Sequence, residues 1–206
     1  MISITTLFAV GLAFWVVAAS PGPANLSNAA IAMRYGRKAS VIYGLGLSVA
    51  LVFWGVLAAT GMGALLQASA SALLVLKLAG GVYLLYLAWV SAKSSATPST
   101  AKPVEIASGR WFWRGVVLNL SNPKSVIAWM AALSMGLDPS GSWLSVLLTT
   151  LVCVVVAFLN NLTYSLVFSM GGMMAAYQRF QRWIDGASAA LFSLAGFALI
   201  RSAFAK

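Results

Sequence analysis

The sequence predicts an all-α membrane protein with six transmembrane helices, arranged as a 3+3 inverted repeat in which helices 1 and 4 are broken. Three observations carry this reading. Apolar residues make up 61% of the chain and charged residues 8%, with a mean hydropathy of +0.92; soluble domains carry about 25% charged residues, so the solvent this chain is built for is a bilayer. Two apolar stretches about 100 residues apart are interrupted by proline, at Ser20-Pro21-Gly22-Pro23 and at Asn119-Leu120-Ser121-Asn122-Pro123-Lys124. Finally, basic residues alternate between successive gaps in the apolar pattern.

A helix needs roughly 20 apolar residues to cross a bilayer. Windows at 4–33, 39–62, 65–92, 111–135, 143–174 and 187–204 meet that length. The first has no basic segment before it, and Arg34, Arg37 and Lys38 come after it, so it reads as a retained span and not as a cleaved signal peptide. Between the third and fourth windows lies the one stretch of soluble character, 93–110, rich in Ser, Thr, Ala and Pro. It divides a single transporter domain, 1–206, into three-helix halves, 1–92 and 111–206, with the linker on the cytoplasmic side.

Charge fixes the expected orientation. Arg34, Arg37 and Lys38 follow the first span, none follows the second, and Lys93, Lys102 and Arg110 against Glu105 follow the third. Only Asp138 follows the fourth, while Arg179 and Arg182 with Asp185 follow the fifth. By the positive-inside rule both termini lie in the periplasm, Arg201 and Lys206 weakening the bias without reversing it. Three spans per half is an odd number, so the second half enters the membrane in the opposite sense. The repeat rests on span count and break placement, since no convincing residue identity links the halves.

Composition excludes several function classes. The chain has no histidine and one cysteine, Cys153, which rules out an internal disulfide, a thiol pair and a Cys/His metal cluster. No cofactor is implied. The thirteen Lys and Arg residues punctuate the spans and form no basic face interleaved with aromatics, so nucleic acid is not a partner. An enzyme would need an acid, base or nucleophile grouped at a cavity, and the available Lys, Tyr and Ser show no such spacing. A scaffold without transport would leave the paired breaks and midspan lysines unexplained. The remaining partners are a small molecule and the lipid bilayer, with homo-oligomerisation left open.

The breaks suggest where a small molecule binds. Backbone groups freed at membrane depth are tolerated only where protein or a water-lined cavity receives them, and matched breaks in two halves point to a transport site between them. Pro23 suits a first helical turn, where its missing N–H would have no partner anyway. The stretch 23–34 is then a half-helix of roughly 16 Å starting near the midplane, and Pro123 starts a second one running to about residue 135. Their positive ends, with Pro21 and Gly22, form a site for a carboxylate. Asn25 and Asn28 share a face of the first half-helix, and Asn119 and Asn122 repeat that spacing before Pro123. These amides suit an α-amino or α-carboxyl group; equally, they suit capping of the freed backbone.

Lys77, near the middle of span three, and Lys124, just after the second break, are ionisable groups at depth, each costing about 2.5–3.5 kcal/mol on insertion scales. Gly80 and Gly81 leave room beside Lys77 for a ligand or another backbone. Alternatively each ammonium ties to freed carbonyls or snorkels to an interface. Asn160, Asn161 and Thr163 form a polar cluster in span five that either lines a path or holds helices together. The acidic residues Glu105, Asp138 and Asp185 all fall in expected loops or at span ends, so no carboxylate marks the interior. That favours a neutral zwitterion over a cationic substrate and leaves proton coupling without an obvious carrier.

The Ser20-Pro21-Gly22-Pro23 break, Gly36 with Gly44-x-Gly46, Lys77-x-x-Gly80-Gly81-x-Tyr83-Leu84-x-Tyr86-Leu87-x-Trp89 and Asn119-Leu120-x-Asn122-Pro123-Lys124 together resemble the LysE/RhtB family of bacterial amino-acid exporters. The resemblance covers about 20–89 and 114–124; the last two spans are diffuse. It implies a six-span secondary transporter of the inner membrane that moves amino acids or close derivatives outward on an ion gradient. The substrate-binding candidates are Pro21, Gly22, Pro23, Asn25, Asn28, Lys77, Asn119, Asn122, Pro123, Lys124, Asn160 and Asn161. Export of another small solute or cation, or a membrane-embedded non-transport role, is the alternative.

Topology is testable directly. In a Cys153→Ser background, single cysteines placed within 93–102 should react with a membrane-impermeant maleimide only after the cytoplasmic face is opened. Labelling in intact cells would reverse the orientation.

Overall fold

The computed structural model describes residues 3–68, 70–96, 109–136 and 143–204. Among them are seven helices: α1 (Ile4–Ala19), α2 (Pro23–Ala68), α3 (Ala70–Ala96), α4 (Trp111–Leu120), α5 (Pro123–Gly136), α6 (Trp143–Val167) and α7 (Met173–Phe204). Both breaks fall where the prolines place them: α1 stops before Ser20 and α2 starts at Pro23, while α4 stops before Ser121 and α5 starts at Pro123. Three helical stretches, Pro23–Gly61, Trp143–Val167 and Ala175–Phe204, are long and apolar enough to cross a membrane. Residues 97–108, with Lys102 and Glu105, and the gap holding Asp138 lie outside the described residues.

Helix α2 is two arms folded back at Gly36, whose φ of 83° and ψ of 175° are open to glycine and strained for any residue with a Cβ. Ser40 Oγ donates to Asn28 Oδ1 at 2.7 Å and to the Asn28 carbonyl at 3.1 Å, so the arms lie side by side. Helices α3 and α7 run antiparallel in one register: Lys77 meets Ser202, Gly80 meets Leu199, and Ser94 meets Asp185. Gly81 and Gly196 set their separation, since a Cβ on either would stand within about 3 Å of the other's carbonyl oxygen. The room beside Gly81 is therefore taken by the α7 backbone and the Ile200 side chain, and that beside Gly80 by Leu199 and Ala131.

Three apolar clusters fill the interior. The largest joins Val10, Phe14 and Val17 of α1 to Trp129 and Leu133 of α5, Cys153 and Ala157 of α6, and Phe192 of α7. The second, Ile31, Ala39, Tyr43 and Leu47, packs α2 on α4, and the third sets Ala29 and Ala32 against Phe168 of α6. Every chain segment passing from the first cluster to the others places polar residues at the crossing: Ser20 between α1 and α2, Ser48 on α2, Asn122 between α4 and α5, and Asn160 and Asn161 on α6. The result is a buried polar layer.

Two expected boundaries are corrected. Span five was expected over 143–174, but α6 ends at Val167; span six was expected from 187, but α7 begins at Met173. The apolar pattern marks where a helix meets lipid, and α7 continues past that region on hydrogen bonds and on contacts with α3.

The α2–α4 contact depends on small residues. A Cβ on Gly46 would collide with the Phe112 carbonyl oxygen, which is backbone and cannot swing away. Gly46→Ala should lower stability by about 1–3 kcal/mol, read as a fall in melting temperature of the purified protein, whereas Gly61→Ala, with nothing within 4 Å, should leave it unchanged.

Candidate functional site

The first break strands the last carbonyls of α1, and each finds a donor. Ser20 N–H donates to the Val16 carbonyl at 3.2 Å, and Ser20 Oγ to Val17 at 2.9 Å. Asn25 Nδ2 donates to Ala18 at 2.6 Å and Ser20 at 3.0 Å, with Asn160 Nδ2 a second donor to Ala18 at 3.4 Å. Tyr164 OH donates to Ala19 at 2.8 Å. Lys124 Nζ donates to the Ser20 carbonyl at 2.9 Å and makes a short contact with Ser20 Oγ. An ammonium thus sits at the negative end of α1, where a cation is favoured.

The second break is closed mainly by its own residues. Asn122 caps α5, its Oδ1 accepting from Lys124 N–H at 3.1 Å. Asn119 Nδ2 donates to the Leu47 carbonyl at 2.7 Å, and Asn119 Oδ1 accepts from Ser125 Oγ at 2.6 Å and Asn122 Nδ2 at 3.3 Å. Lys124 therefore stands on one break with its ammonium on the other. Gly22 makes room for it, since a Cβ there would lie 3.3 Å from Nζ.

Between the breaks lies a small cavity of about 40 Å³, space on the order of a few waters. Asn25, Asn119, Asn122, Lys124, Asn160 and Asn161 are among its lining residues, with Gly22 beside them and Phe14 and Val17 on the apolar side. Seven sequence candidates thus meet at one place.

The others separate. Asn28 is fully buried but serves a neighbouring cluster, its Nδ2 donating to the Asn161 carbonyl at 3.0 Å and Ser165 Oγ at 3.1 Å. Pro21 lies in the first break, and Pro23 and Pro123 begin their half-helices. Lys77 lies near the start of α3: its ammonium donates to the Ser202 carbonyl at 3.2 Å, near the end of α7. It ties down a helix terminus and does not line the cavity. Thr163 is exposed, leaving Asn160 and Asn161 without it.

Residues 15–203 match the family model described as LysE type translocator. The chain belongs to that family. It is 30% identical over 199 residues to the threonine efflux protein of Escherichia coli (strain K12), covering 94% of this chain and 96% of that one. It is 29% identical over 208 residues, covering 95% and 96%, to the homoserine/homoserine lactone efflux protein of Salmonella typhimurium (strain LT2). An uncharacterized membrane protein of Haemophilus influenzae is 27% identical over 187 residues, covering 88% and 89%. No solved structure matches the chain.

In this LysE-type translocator one expectation about acidic residues is overturned. Asp185 is neither in a loop nor at a span end; it sits inside α7, only 3% exposed, accepting from Ser94 Oγ of α3 at 2.7 Å. The sequence reading missed it because the helix outruns its apolar stretch. Tyr164 was missed as well, although it follows Asn160 by four residues and so shares its face.

Asn28 tests the packing role of the amides. Asn28→Ala removes the side-chain acceptor of Ser40 Oγ and the amide donor to the Asn161 carbonyl and Ser165 Oγ, and should lower stability by about 1–2 kcal/mol, seen as a lower melting temperature in detergent micelles.

Proposed function

We propose that the protein is a secondary active exporter of small neutral amino acids or close derivatives, placed in the bacterial inner membrane as six spans with both termini periplasmic and its halves inverted. The observation that carries this reading is the Lys124 ammonium spanning from the second break to Ser20 of the first, across a cavity lined by amides. Among the described residues lining that cavity there is no carboxylate to hold a cationic side chain. The relatives named for threonine and homoserine efflux support the substrate class and the outward direction.

The small size of the cavity supports a mechanism that begins with opening. An amino acid enters only when the two broken segments part, which releases Lys124 from Ser20. The substrate carboxylate then takes the ammonium and the N-terminal turn at Pro23, and its ammonium takes the Ala18 and Ser20 carbonyls that Asn25 and Lys124 now occupy. Lys124 exchanges the Ser20 carbonyl for the substrate carboxylate, and that carbonyl exchanges Lys124 for the substrate ammonium, so neither charge is left unpaired on loading. Asp185 of α7 is the buried carboxylate in the described bundle and stands apart from the cavity lining. Ser94 Oγ of α3 donates to it at 2.7 Å, Arg182 donates to the Ser95 carbonyl at 3.0 Å, and Tyr164 of α6 is bonded to the break at Ala19.

Proteoliposomes decide the matter. The parental protein should exchange threonine, serine or homoserine faster than lysine or arginine and accumulate them against a proton gradient. Lys124→Met should reduce both activities at least tenfold. Parental rates in Lys124→Met, or faster movement of lysine, would overturn the assignment.

A further inference from the structure

A second and larger cavity lies along α4, beside the second break. It is a groove of about 630 Å³ along α4, with Arg110 and Arg114 at one end, Trp113, Val117 and Leu118 along its wall, and Pro23, Ser121 and Asn122 at its deep end. Arg114 N–H donates to the carbonyl of Arg110, the residue that caps α4, at 3.1 Å, and both residues line the groove. Gly109 and Arg110, at φ of 87° and 51°, turn the chain into α4 at this point. Trp113 and Val117 are 64% and 62% exposed, so the groove opens sideways from the bundle.

Depth identifies the occupant. Eleven residues separate Arg110 from Ser121, a helical rise of about 16 Å and close to half the bilayer core of about 30 Å. With the break at the midplane, Arg110 stands at the headgroup level, beside the Gly36 turn and its exposed Arg34, since Trp111 packs tilted against Tyr35 at 4.7 Å between centroids. A guanidinium pair at the interface with an apolar trough running inward matches a phosphate ester bearing an acyl chain. A free amino acid has no use for that trough. We propose that the groove binds an anionic phospholipid, its phosphate on Arg110 and Arg114 and one acyl chain along Val117 and Leu118 toward the second break. The inference rests on the membrane placement above and not on the transported substrate. Because Asn122 lines both cavities, the lipid touches the wall of the central site.

The full-length protein in detergent provides the test. Phosphatidylglycerol should raise its melting temperature in a saturable way and remain bound in native mass spectra, and phosphatidylcholine should do neither. Arg110→Gln with Arg114→Gln should abolish the increment, and Val117→Trp, which fills the trough while keeping both charges, should reduce it. Equal shifts from the two lipids, or a full phosphatidylglycerol shift in the double variant, would overturn the proposal. So would a shift given by inorganic phosphate or an amino acid without lipid, which would assign the groove to a soluble anion. The readout is binding, so it stands or falls apart from transport.

Discussion

Cutting a helix inside an apolar bundle leaves carbonyl groups facing hydrocarbon, and the arrangement of this protein follows from how they are satisfied. At the end of α1 the acceptors from Val16 to Ser20 take donors from the turn itself, from Asn25 one turn into α2, from Asn160 and Tyr164 on α6, and from Lys124 on α5. Three separate segments must converge on one point for this to work. Because an unpaired carbonyl in such surroundings costs several kcal/mol, the convergence constrains the bundle more tightly than apolar packing would. The polar layer between the clusters is the outcome.

The two breaks are not equivalent. Asn122 caps its own helix and Asn119 reaches α2, so the second break is self-contained apart from one bond to Leu47. The first depends on residues from the other half, above all on Lys124. A contact made by an ammonium and not by packed backbone can be traded for a carboxylate without stranding a charge, which makes the Ser20–Lys124 contact the natural point of opening in the proposed cycle. The glycine seams, Gly81 on Gly196 and Gly46 on Phe112, hold their helices at backbone distance and suit them to move as units.

Much of this was legible in the chain because proline acts locally. A missing N–H and a fixed φ end a helix whatever surrounds it, so both breaks could be placed to the residue, and the amides and the lysine beside them could be named. The fates of the two lysines could not be told apart. Lys77 and Lys124 both occupy midspan positions by count, yet one reaches the end of α7 and the other the cavity, because the register of α3 against α7 is set by the small residues between them. Asp185 was misplaced for a related reason: hydropathy reports contact with lipid, and a helix that extends beyond it on packing and hydrogen bonds leaves no apolar trace.

The sequence by itself determined the class of solvent, the helix-breaking points and the set of polar side chains available near them, since each depends on residue type and spacing along one chain. Only the tertiary structure decided which of those side chains face the cavity, which serve as caps, and that a carboxylate lies buried between α3 and α7. Those assignments depend on partners up to 145 residues apart, as for Tyr164 and Ala19, and a hydrogen bond between distant segments exists only once packing has brought its two ends within about 3 Å.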